Sequence, residues 1–197
     1  GEGPDFVTVD GGGGGTGAAP FVIADHAPLP CRAAFPRVYR TFAERGLHED
    51  LVFIGSGKLG LPDTALLAMG LGCDMVNVGR EAMLSIGCIQ AQRCHTGRCP
   101  TGVATQSPWL TGGLDPDLKS VRATAYLVAL RSELARLAGV CGRSHPALVD
   151  LECFELVDHG RRAVPAREVF GYEPGWGLPS PADQAALATI QEDVDVP

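Results

Sequence analysis

Leu51-Val52-Phe53-Ile54-Gly55-Ser56-Gly57-Lys58-Leu59-Gly60-Leu61-Pro62 and, some twenty residues on, Met75-Val76-Asn77-Val78-Gly79-Arg80-Glu81 carry the reading of the fold. Each opens with a short apolar run that does not alternate with polar residues, the pattern of a parallel strand covered on both faces. Each run ends in a glycine-bearing turn and then passes into a helical pattern. Pro62 to Met69 reads as a helix, with proline near its start and Gly70 near its end. Glu81 to Gln90 has room for another. Upstream, Phe6-Val7-Thr8-Val9 is a third such strand, and Pro36 to Arg45 reads as a helix stopping at Gly46. Strand–helix alternation at this spacing means βαβ units in a parallel sheet.

Beyond these units the rhythm changes. Asp115-Pro116 combines an N-cap with a proline at the first helical position. It opens a long helix with Leu127, Leu130, Leu134 and Leu137 on one face and an end near Gly139. From Val164 onward, prolines and glycines predict an extended arm with one short helix, capped by Ser180-Pro181. Three βα units leave an unpaired strand at each edge. The expected parent is therefore a (β/α)8 TIM barrel of ~250 residues or more, of which these are the last three units. A small doubly wound sheet is the competing architecture. The fold class is α/β, a partial TIM barrel with a C-terminal helical and irregular extension, divided at 1–110 and 111–197. Gly1 in place of Met fits a chain cut from something longer.

Composition narrows the function. The net charge is −7, with 23 acidic residues against 16 Lys and Arg, which argues against a nucleic-acid surface. No apolar run reaches the ~20 residues of a membrane span, and no signal peptide is evident. Seven cysteines, three of them within twelve residues, suit a metal site inside the cytoplasm better than a disulfide framework.

Three constellations carry chemistry. Asp10 through five glycines to Thr16-Gly17-Ala18-Ala19-Pro20 follows a strand and would face an active site at the C-terminal end of a barrel; a flexible linker is the alternative. Gly55-Ser56-Gly57-Lys58 and Gly79-Arg80 each join a strand to a helix, so backbone N–H groups converge on a ready anion site. The third constellation is Cys88-Ile-Gln-Ala-Gln-Arg-Cys94-His-Thr-Gly-Arg-Cys99-Pro100. Its gaps are not those of a zinc ribbon. Three thiolates suit a cluster with three irons, and a four-iron cluster would need a fourth ligand. A zinc site completed by His95, or three unligated thiols, are the alternatives. Cys31, Cys73, Cys141 and Cys153 read as core or incidental residues.

The segment Leu84 to Cys88, and Cys94 through Cys99-Pro-Thr-Gly-Val-Ala-Thr-Gln-Ser-Pro108, resembles the cluster-binding region of the glutamate synthase large-subunit family. So do Asp10 to Pro20, Asp25-His26 with Leu29-Pro30, and the Ser56-Gly57-Lys58-Leu59 turn. The resemblance is strong over residues 4 to 110. It implies an FMN barrel that reduces 2-iminoglutarate, formed from 2-oxoglutarate and ammonia, to L-glutamate. It also implies a [3Fe–4S] cluster that passes electrons to the flavin from ferredoxin or a reductase subunit. Carried over by position, Cys88, Cys94 and Cys99 are the cluster ligands, and Ser56, Gly57, Lys58, Gly79 and Arg80 hold the FMN phosphate. Ammonia would come from a glutaminase domain or subunit. The family usually has an acidic residue where this chain has Gly13, and with the earlier barrel strands absent no catalytic residue is assigned. A related FMN oxidoreductase with another small substrate, or a non-catalytic truncated remnant, are the rival functions.

Overall fold

The computed structural model describes residues 3–13, 23, 26–158 and 160–189. The glycine run beyond Gly13, Thr16 to Pro20 and Asp25 lie outside them. Strands β1 (Phe6–Asp10), β2 (Val52–Ser56) and β3 (Met75–Asn77) form one parallel sheet in that order. Helices α1 (Cys31–Ala43) and α2 (Pro62–Gly70) make the crossovers, and α3 (Arg80–Ser85) follows β3. Thus the three predicted βα units are present.

The two faces of the sheet differ. Val7, Val9, Phe53 and Val76 pack into one core with Phe35, Tyr39, Ala68 and Leu71 of the crossover segments. The register rows Phe6↔Val52, Thr8↔Ile54↔Met75 and Asp10↔Ser56↔Asn77, which alternate with those core residues, lie on the opposite face. There Phe6, Val52 and Met75 remain 59%, 41% and 58% exposed. The non-alternating strand sequences are explained by this: both faces are apolar, but only one is covered by described residues.

Helix α1 starts five residues earlier than its sequence predicts, with Pro36 inside it. The proline forfeits one backbone hydrogen bond, but Cys31, Phe35 and Tyr39, spaced four apart, are buried in a single stripe. Burial of that stripe outweighs the lost bond. Helix α3 is shorter than expected. Gly87 adopts φ +108°, and Cys88 N–H closes back on the Met83 carbonyl at 3.0 Å, a Schellman-type stop. A short helix α4 (Pro108–Thr111) precedes α5 (Pro116–Val140). The Asp115 carboxylate caps α5, accepting from Asp117 N–H at 3.0 Å and Leu118 N–H at 3.4 Å. Leu130, Leu134 and Ala138 of α5 bury against Ala65 and Leu66 of α2. Leu127, expected on that face, is instead 55% exposed.

The C-terminal region is not the extended arm its prolines predict. A hairpin of β4 (Glu155–Val157) and β5 (Ala163–Pro165) leads into α6 (Ala166–Phe170). Tyr172 then stacks on Tyr39 at 5.4 Å and donates its hydroxyl to the Leu71 carbonyl at 2.9 Å. The expected Ser180 cap does open a helix, α7 (Pro181–Thr189), with Asp183 N–H donating to Ser180 Oγ at 3.2 Å.

Candidate functional site

Asp10, Ser56 and Asn77 end the three strands in one row, because parallel pairing aligns residues of like position. The loops leaving that row are tied together. Gly11 N–H donates to the Ser56 carbonyl at 2.8 Å, and Gly12 N–H to the Leu29 carbonyl at 2.8 Å. A Cβ on Gly11 would stand 2.2 Å from the Cys31 nitrogen, so only glycine lets β1's loop pass beneath α1. Gly57 has φ +120°, and its added Cβ would lie 3.1 Å from the Gly11 carbonyl oxygen. Lys58 follows at φ +58°, unusual for a residue with a side chain. The Ser56-Gly57-Lys58 turn is thus a tight, glycine-dependent corner beside β1's own glycine loop.

Gly79 is different. It is the N-cap residue of α3, with Met83 N–H on its carbonyl at 2.9 Å. No atom comes within 4 Å of the place where its Cβ would be. The open space above Gly79 leaves its backbone accessible, and Arg80 begins the helix directly after it. Ser56 and Asn77 are register partners, so the turns holding Gly57-Lys58 and Gly79-Arg80 leave the sheet side by side. Sequence reasoning named both turns and opened its glycine constellation at Asp10 but gave Asn77 no role; only strand register shows that the three residues form one row.

A cavity of about 400 Å³ opens on the helix side of the sheet, between α1 and α2. Its wall includes Cys31, Phe35, Leu67 and Cys73, and Lys58 stands at its edge. Burial pushes both of these thiols upward, which makes them poor nucleophiles and poor metal ligands. Reading them as core residues agrees with their positions.

The cysteine segment lies beyond α3. Cys88 follows the Gly87 stop directly. Cys94 starts a single 3-10 turn closed by Gly97 at φ +69°, and Cys99 is buried. Cys99 Sγ lies 3.4 Å from the Thr101 hydroxyl. That hydroxyl, helped by the N–H groups of Ala104, Thr101 and Val103, holds the thiol down to about 7. Such a nest of donors fits an anionic sulfur, the form a metal ligand takes. The Cys88 sulfur likewise accepts from Gln90 N–H at 3.4 Å. Gln90 and Gln92 sit at φ +54°, an uncommon conformation for residues with side chains that clusters at functional sites. Among the described residues, however, no three His, Cys, Asp or Glu side chains converge as a metal-ligand set. The donor chemistry fits an iron–sulfur centre; the three sulfurs do not come together in this conformation. The donors around Cys99 were absent from the sequence reading, although the Cys-Pro-Thr-Gly turn was their only local sign.

A parallel α/β unit with two glycine-bearing turns at neighbouring strand ends and a cysteine segment beyond them defines the site. Residues 1–144 match the family described as the conserved region in glutamate synthase. The chain belongs to the glutamate synthase family. It is 43% identical over 146 residues to the glutamate synthase large subunit-like protein YerD of Bacillus subtilis, covering 74% of this chain and 28% of that one. It is 38% identical over 138 residues to the archaeal glutamate synthase [NADPH] of Methanocaldococcus jannaschii, covering 70% and 27%. With the ferredoxin-dependent glutamate synthase of Antithamnion sp. it shares 35% over 102 residues, 52% of this chain and 7% of the other. The chain therefore spans less than a third of the length of these curated relatives. Among the described residues no helix is long and apolar enough to cross a membrane.

Proposed function

We propose that this chain is the closing part of an FMN- and iron–sulfur-binding TIM barrel that makes L-glutamate from 2-oxoglutarate and glutamine-derived ammonia. The observation that carries this is the row of strand ends, Ser56 beside Asn77, which delivers two glycine turns to one point. Backbone N–H groups there meet a phosphate without side-chain obstruction, and Lys58 and Arg80 add charge. Ser56, Gly57, Lys58, Gly79 and Arg80 are the residues assigned to the FMN phosphate. Partial closure is supported by the bare sheet face, since Phe6, Val52 and Met75 are the layered interior side chains a complete barrel would bury.

Cys88, Cys94 and Cys99 are the residues assigned to the cluster, with Cys99 held ready as a thiolate. When bound, FMN supplies hydride for reducing 2-iminoglutarate and a [3Fe–4S] cluster supplies single electrons. The chain's own contribution is to anchor the phosphate and to place the cysteine segment directly after α3. Gathering the three sulfurs requires the segment from Cys88 to Cys99 to draw inward, and its positive-φ residues mark where the backbone is under strain. Ferredoxin or an NADPH-oxidising reductase subunit is the electron source, a glutaminase domain or subunit the ammonia source, and the cytoplasm the place of action.

The test is anaerobic purification of the full-length protein. FMN, iron and acid-labile sulfide are expected together, with glutamate formed from 2-oxoglutarate, glutamine and an electron donor. Zinc without sulfide would reduce the cysteine segment to a structural metal site.

A further inference from the structure

The turn that leaves β2 is held at both ends by distant parts of the chain. At its start the Ser56 carbonyl accepts from Gly11 N–H at 2.8 Å. At its end the Gly60 carbonyl accepts from the Tyr126 hydroxyl at 2.7 Å, across 66 residues of sequence. Between these anchors Gly57 and Lys58 stand at φ +120° and +58°. A residue with a side chain keeps such a conformation only where its surroundings enforce it. Gly60 is itself buried, so its carbonyl needs a partner from within the protein.

Tyr126 opens the stripe of α5 that continues, four residues apart, through Leu130, Leu134 and Ala138 against α2. A tyrosine in a helix seam is commonly a packing residue, and phenylalanine would fill the same space. The hydroxyl adds one directed bond, and it does so where a third element arrives. A Cβ on Gly60 would stand 2.6 Å from Glu81 Cβ, 2.6 Å from Glu81 Oε2 and 2.7 Å from the Tyr126 hydroxyl oxygen. Glu81 directly follows Arg80 in the first turn of α3. The turn after β2, the start of α3 and the helix α5 therefore meet at one glycine. Burial first, and the Glu81 carboxylate second, push the Tyr126 hydroxyl upward, which keeps it a proton donor.

We propose that Tyr126 is a positioning residue for the flavin phosphate: by pinning the Gly60 carbonyl beside Glu81, its hydroxyl fixes the Gly57-Lys58 turn against the Gly79-Arg80 turn. The inference rests on the assignment of those two turns to the FMN phosphate. Parallel pairing aligns the turns only as far as the Ser56–Asn77 row, and the Gly60–Glu81–Tyr126 junction joins them beyond it. Without the hydroxyl the Gly60 peptide loses its anchor, and the N–H groups of the turn lose their common aim. Aim matters because a phosphate is held by several donors at once. The flavin ring gains nothing from this junction.

The experiment titrates the full-length apoprotein with FMN and, separately, with riboflavin, which has the same ring and no phosphate. Wild type is expected to bind FMN far more tightly than riboflavin. Tyr126→Phe keeps the ring in the seam and is expected to weaken FMN about tenfold while leaving riboflavin unchanged. Gly60→Ala, which forces a methyl group against the Tyr126 hydroxyl and Glu81, should lower the preference for FMN in the same way. Urea unfolding of the apoproteins is measured alongside. A Tyr126→Phe protein that keeps the wild-type ratio of FMN to riboflavin affinity, whether or not its stability falls, overturns the positioning role and leaves a seam residue. Equal weakening of both flavins overturns it as well. A wild-type protein that does not distinguish FMN from riboflavin overturns instead the phosphate assignment on which the inference rests.

Discussion

The Tyr39 hydroxyl of α1 accepts a hydrogen bond from the Gly177 N–H at 2.9 Å, across 138 residues of sequence. This bond fastens the C-terminal segment to the base of the βα units. Tyr39 is buried, stacked between Phe35 and Tyr172. Tyr39→Phe keeps the ring but strands the Gly177 N–H in a buried position, which costs about 1–3 kcal/mol. Chemical denaturation of the two proteins should show that loss. Hydrogen exchange should show Gly177 and its neighbours opening more often, with α5 unaffected.

Alkaline pH should act through the same residue. Burial pushes the Tyr39 hydroxyl up to about 12, and Tyr172, buried beside it, moves in the same direction. A group whose folded value lies above its unfolded value of about 10 stabilises fully below pH 10 and loses that contribution as pH rises toward 12. For Tyr39 the loss is roughly 3 kcal/mol. Unfolding free energy should therefore fall steeply between about pH 10 and 12, less steeply in Tyr39→Phe. Parallel curves for the two proteins would refute the assignment.

Replacement of Cys94 by Ser in the full-length protein should abolish or badly weaken the iron–sulfur centre, because a hydroxyl is a poor substitute for thiolate. Iron and sulfide analysis provides the check. Since Cys94 is only half-buried on a short turn, thermal stability of the cluster-free protein should barely change.

Gly79→Val and Gly57→Ala separate ligand binding from folding. Nothing occupies the space beside Gly79, so valine should fold normally but obstruct the approach of a phosphate, weakening FMN roughly tenfold or more. Gly57 has φ +120°, with the Gly11 carbonyl 3.1 Å from an added Cβ; alanine there should lower stability itself. Flavin titration and thermal unfolding on both variants distinguish the cases. Unchanged flavin affinity in Gly79→Val would move the phosphate elsewhere.

Residues 1–197 expressed alone should associate. Phe6, Val52 and Met75 line an open sheet face, and β1 and β3 are edge strands among the described residues. Gel filtration with light scattering should show dimers or aggregates and no retained FMN. A yellow monomer with 2-oxoglutarate-dependent activity would contradict both the partial barrel and the missing flavin contacts.

What could be read from sequence was whatever is decided within a few residues. The strands Val52-Phe53-Ile54 and Met75-Val76-Asn77, the proline start of α2 and the Asp115-Pro116 cap follow from local backbone preferences, and each stands where the sequence puts it. The two glycine turns were legible for the same reason. The tertiary structure alone decided the rest. Leu130 is buried while Leu127 is not, because α2 supplies a partner surface for only part of α5. Tyr172 and Gly177 return to α1 although their prolines and glycines read as an arm, since a buried aromatic stack at Tyr39 gains more than the segment's chain freedom costs. Spacing marked Cys88, Cys94 and Cys99 as a group, but whether their sulfurs meet depends on the backbone between them, and in this fold they do not converge.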